Sequence, residues 1–130
     1  MLRLKPGAIA VAALALASLA APTARAGEKA LMHCFAFTAI PTASQADWNA
    51  FYQKTDAIPS KVPGVTKVWY GKLAHPLSVD GAERQYGVCM EMKDAAALKA
   101  YAMHPYHREW LGAYEKVRVE GTTTFNILGQ

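Results

Sequence analysis

The chain has 130 residues, 14 of them Lys or Arg and 10 Asp or Glu, for a formal net charge of +4, a length that suits one domain around a single core. Arg3, Lys5 and Arg25 lie in an N-terminal segment without acidic residues, so its removal takes three charges from +4 and leaves +1. No Lys/Arg cluster remains after it, which leaves no electrostatic footprint for nucleic acid or an anionic membrane, and two cysteines are too few for a disulfide framework.

In chain order, Arg3 and Lys5 precede an apolar run from Ala8 to Ala21 that closes on Ala24-Arg25-Ala26. That basic, apolar, small-residue order predicts a secretory signal over residues 1–26, cleaved after Ala26. The run is short and Ala-rich for a membrane span, so stable insertion is not expected after cleavage. One domain over 27–130 is then expected in the periplasm or outside the cell.

Leu31 to Phe37 alternates Leu31, His33, Phe35 and Phe37 with the smaller Met32, Cys34 and Ala36, which predicts a strand. Ser44 stands three residues before Asp47 and opens a helix in which Trp48, Phe51, Tyr52, Thr55 and Ile58 recur at helical spacing, closed by Pro59. Pro63-Gly64 turns the chain into a second strand over 65–73, rich in β-formers. Residues 75–82, with Pro76 and Asp80-Gly81, read as a loop. A third strand over 85–92 sets Tyr86, Val88, Met90 and Met92 against Gln85, Gly87, Cys89 and Glu91, and pairs with the second as a hairpin. Asp94 caps a short helix through Leu98 and Tyr101, and Pro105 starts another whose stripe is Tyr106, Trp110, Tyr114 and Val117. Gly121 ends it, and Thr122 to Leu128 is the final strand.

The order βαββα(α)β is the split-βαβ, ferredoxin-like α+β topology: a four-stranded antiparallel sheet with helices on one face. The other face, with Cys34, Ala36 and Cys89, is apolar enough to want a cover, so a homodimer pairing two sheets is expected. Both cysteines fall on that face of neighbouring strands. Two buried thiols are expected there, with a cross-strand disulfide as the alternative if the register opposes them.

The strand with His33, the Ile58-Pro59 to Pro63-Gly64-Val65 passage, Trp69-Tyr70-Gly71 and above all the run Tyr-x-x-His-Pro-x-His from Tyr101 to His107 resemble the stress-responsive dimeric α/β-barrel (Dabb) domain. The likeness spans about Ala30 to Asn126 and implies a ferredoxin-like subunit in a dimeric barrel. A plant polyketide cyclase of this family performs an aldol condensation with a Tyr/His pair in this motif. The resemblance implies His107 as general base and Tyr101 as oxyanion donor, the two catalytic candidates. Where that cyclase has a further His on strand three, this chain has Tyr86, so the same substrate does not follow.

The residues themselves allow this chemistry. On one unbroken helix Tyr101 and His107 would lie on different faces, but Pro105 breaks the helix and lets them converge. His107 would sit in the first turn of the new helix, where the positive end disfavours imidazolium and leaves a ring able to accept a proton. The alternative is that the two side chains bond each other or the backbone and hold the corner.

His33, Phe35, Tyr86 and Val88 should face the helices and, with Phe51, Tyr52, Trp110 and the corner residue His104, line a ligand cavity. The same aromatics could be plain core. His104 and His107, with His33 or His75, lack a carboxylate or cysteine to complete a metal site, and one histidine does not select haem, so no metal or cofactor is expected. The functional expectation is binding of a small apolar or aromatic molecule. The alternatives are a cofactor-free cyclase/lyase or monooxygenase using the His/Tyr pair, and a structural stress-related dimer.

Overall fold

The computed structural model describes residues 29–130, and the signal predicted over 1–26 lies outside them. The elements are β1 (Leu31–Ala39), α1 (Gln45–Lys61), β2 (Val65–Val79), β3 (Ala82–Met92), α2 (Ala95–Met103), α3 (Pro105–Tyr114) and β4 (Arg118–Leu128). The strands form one antiparallel sheet in the order β2-β3-β1-β4, as the ferredoxin-like reading requires.

The helix starts follow from local chemistry. Ser44 and Asp47 form a reciprocal capping box at α1, and the Asp94 carboxylate accepts from Ala97 N–H at 2.7 Å to start α2. Three boundaries differ from expectation. Helix α1 runs through Pro59 to Lys61, since a ring near the last turn removes only one bond before the helix ends. The segment 75–82 is mostly strand: Asp80 and Gly81 both take positive φ, 50° and 77°, as a two-residue hairpin turn demands, and Pro76 sits in the register shift between Lys72 and Leu77 on an edge strand. Helix α3 stops at Tyr114, and Gly121, predicted to end it, lies within β4 with φ 102°.

The core fills the space between helices and sheet. Phe37, Phe51, Ile58, Met90, Met92 and Trp110 are buried there with Val117, which packs from the turn after α3. Alternation sends Cys34, Ala36, Gly87 and Cys89 to the opposite face, which no helix covers.

On that face the register aligns a row across all four strands: Trp69 beside Cys89, Cys89 opposite Cys34, and Cys34 beside Phe125. The expectation of two separate thiols is corrected here. Cys34 and Cys89 are directly opposed, with Cα atoms 4.1 Å apart, and are joined as a disulfide. Trp69, Phe125 and Ile127 remain 60%, 45% and 55% exposed. In the next row, Gly71, Gly87 and Ala36, Leu73 leans over Gly87, and a hollow of about 260 Å³ opens beside it between Gly71, Trp69, Leu73 and Leu77.

Candidate functional site

The corner between α2 and α3 is built by its own residues. His104 takes extended backbone angles, and its Nδ1 accepts from Tyr106 N–H at 3.1 Å, so the side chain caps α3 while Pro105 occupies the first helical position. This break re-aims the chain, and the Tyr101 and His107 rings meet with centroids 4.5 Å apart. They do not hydrogen-bond each other. His107 instead donates from Nδ1–H to the Ala102 carbonyl at 3.2 Å, which leaves Nε2 as the proton-accepting nitrogen.

Both groups are tuned for neutral chemistry. Burial lowers the His107 pKa, the Ala102 carbonyl partly opposes that, and nearby His33 adds to the lowering. The cause is thus mainly desolvation, where the sequence had pointed to the helix end. Burial, followed by the neighbouring Tyr114, raises the Tyr101 pKa, so the phenol keeps its proton and remains a donor. Tyr101 is only 3% exposed, yet its hydroxyl takes no hydrogen-bond partner among the described residues.

The two rings open on a hollow of about 270 Å³ between the helices and the edge of the sheet. Its middle is aromatic: Phe35 from β1, and Trp110 and Tyr114 from α3, which continue the stack begun by His107 with centroid spacings of 5.9 and 4.8 Å. His33 lines the same hollow, its Nδ1–H donating to Asn126 Oδ1 at 2.7 Å.

Of the residues singled out from the sequence, Tyr101, His107, His33, Phe35 and Trp110 converge here. The others do not line this hollow. Phe51 and Val88 are buried in the core, Tyr52 and Tyr86 pack on the far side around Trp48, and His104 is committed to its cap. The error lay in treating the whole helix-facing side as one cavity, whereas Phe37, Trp48 and Phe51 fill its centre. Missed altogether were Arg118, Thr122 and Thr124, which line the hollow from β4. The period-two spacing of Thr122, Thr124 and Asn126 was the available signal, because it puts them on one face opposite Phe37, Phe35 and His33.

The sequence profile of the stress responsive A/B barrel domain matches residues 31–124, most of the chain. The chain belongs to this family. The resemblance read from the Tyr101-to-His107 run is thereby borne out. No curated protein matches this Dabb chain by sequence. Solved structures similar to it include a Dabb family protein from Mesorhizobium loti, at 21% identity and a TM-score of 0.62, covering 79% of this chain and 99% of that one. A hydroxynitrile lyase from Passiflora edulis is similar at 12% identity and a TM-score of 0.65, over 80% and 96%. A dimeric ferredoxin-like protein from Bacteroides fragilis follows at 17% identity and 0.58, over 76% and 95%. At these identities the likeness is one of fold.

Proposed function

We propose that this Dabb protein is exported and acts as a homodimer that holds a small apolar or aromatic molecule in the hollow at the α2–α3 corner. The observation that carries the reading is the Tyr101 phenol: its ring is buried against His107, whose pKa burial lowers, while its hydroxyl has no protein partner among the described residues and stays accessible at the wall of the hollow. A phenolic O–H left open at the wall of a mostly aromatic hollow is placed to meet a ligand oxygen. An aromatic-lined space with a few converging polar groups is the common form of a small-molecule site. The uncovered apolar sheet face, and the dimeric state of the similar Bacteroides protein, support association through that face.

A second reading is a cofactor-free lyase or cyclase. It is favoured by the pairing of one proton-accepting nitrogen, Nε2 of His107, with one phenolic donor at ring contact. In that reading His107 removes a proton from carbon or oxygen of the substrate, and Tyr101 donates to the oxygen on which negative charge builds up.

Native mass spectrometry of the purified protein, with His107→Ala and Tyr101→Phe beside the wild type, tests the proposal. The expected result is a dimer carrying a small molecule that both variants lose while their melting temperatures stay within a few degrees of wild type. Variants that melt much lower, with no molecule retained by the wild type, would make the corner purely architectural.

A further inference from the structure

The far end of the same hollow carries a second, different recognition element. Arg118, at the start of β4, lines it together with Thr122 and Thr124. Its guanidinium lies over the Tyr114 ring at 4.7 Å and donates from Nη1 to Thr122 Oγ1 at 3.3 Å, so its plane is fixed from two sides. The Nε–H is shut off from solvent, whereas Nη2 is not shut off and donates to no residue among those described, so it is the donor open to a ligand. Glu115 and Glu120 lie beside Arg118 but form no ion pair with it among the described residues. A charged fork held in place with a donor left over is the arrangement that receives a planar oxyanion.

The strand register gives the spacing. Asn126, whose amide holds His33 at the Tyr101/His107 end, and Thr122, which holds Arg118, are four residues apart on β4. At about 3.3 Å per residue their backbone positions are roughly 13 Å apart. Between them lie the flat faces of Phe35, Trp110 and Tyr114.

We infer that the hollow takes an elongated, flat carboxylic acid: its carboxylate on Arg118, its apolar or aromatic middle against Phe35, Trp110 and Tyr114, and a carbonyl or hydroxyl oxygen at Tyr101 and His107. This rests on the pocket reading above and adds the ligand's charge and polarity. A volume of about 270 Å³ limits the molecule to one ring with a short arm.

The test is calorimetric titration of 4-hydroxycinnamate and its neutral amide, matched in length, into wild type, Arg118→Gln and Arg118→Lys, with melting curves for each. Wild type should bind the acid about tenfold or more tighter than the amide. Arg118→Gln should abolish that preference by weakening the acid alone, and Arg118→Lys should restore part of it. Equal binding of acid and amide by wild type overturns the carboxylate assignment and leaves the pocket standing. Equal weakening of both probes by Arg118→Gln assigns Arg118 to packing and overturns it as well. If neither probe binds at millimolar concentration, both readings fall.

Discussion

His107 differs from an ordinary surface histidine in the direction of its titration. Its imidazole is harder to charge in the folded chain than in the unfolded one, where the value is near 6.5, because the ring is half-buried among Tyr101, His33 and Trp110. As pH falls past that unfolded value the unfolded chain takes up the proton first, so acidification favours unfolding. The stability this group contributes is complete above about pH 6.5 and is lost as the pH drops towards its lowered native value. Melting curves from pH 8 to 5 should therefore fall more steeply for wild type than for His107→Gln, which keeps a donor for the Ala102 carbonyl but cannot charge. Parallel curves for the two proteins would show that burial does not act on this ring. The same desolvation keeps Tyr101 protonated, so above the lowered His107 value a proton donor and a proton acceptor stand side by side.

Helix α3 positions the site, and beside the Tyr106 hydroxyl that donates to the Lys54 carbonyl at 3.0 Å and the Lys54–Glu109 ion pair, one fully buried side chain fastens it to α1. Thr55, fully buried, donates to the Phe51 carbonyl at 2.7 Å and accepts from the Trp110 indole N–H at 2.9 Å. Thr55→Val conserves shape but leaves that N–H unmet, and it should lower stability by about 1–3 kcal/mol in urea unfolding, with Thr55→Ser close to wild type. A loss no larger for valine than for serine would show that packing alone sets the helix. This pair also marks how far the sequence could be read. The caps at Ser44 and Asp94 and the break at Pro105 are local and could be predicted from spacing. Thr55 was placed on the apolar stripe of α1, but its partner lies 55 residues away, and no periodicity reports such a pair. The same distinction explains the site. Tyr101 and His107 are linked by a corner visible in seven consecutive residues, whereas Arg118 enters the hollow through the β1–β4 register, which forms only in the folded sheet. The hairpin of strands two and three was legible, but its tip over 75–82 was misread as a loop for a related reason: Asp-Gly and Pro76 are both loop signals until the strand geometry on either side assigns them to a tight turn and an irregular stretch of edge strand.

For the whole molecule, the uncovered sheet face is where the proposed dimer would form. Trp69 and Phe125 stand out at the two ends of the disulfide row, and Lys67 lies over the Trp69 ring at 4.5 Å. Trp69→Glu puts a charge into that row without touching the hollow at the corner. It should convert the dimer to monomer in size-exclusion chromatography with light scattering, while the far-ultraviolet spectrum stays native. An unchanged dimer would move the interface elsewhere.

The Cys34–Cys89 bond joins residues 55 apart in sequence, and in the chain-entropy view a closure of that length disfavours the unfolded chain by about 4 kcal/mol. Its place in the ladder also sets the order of events during biogenesis. The sulfurs become neighbours only when β3 has docked beside β1, so oxidation follows folding and records a correct register. A chain with two cysteines has only one internal way to close, and no shuffling stage is needed. The error open to it is a bond between two molecules, formed while the face is still bare. In the proposed dimer a second copy would cover that face and shield the bond from reductant and exchange, so association would then lock in what oxidation had recorded.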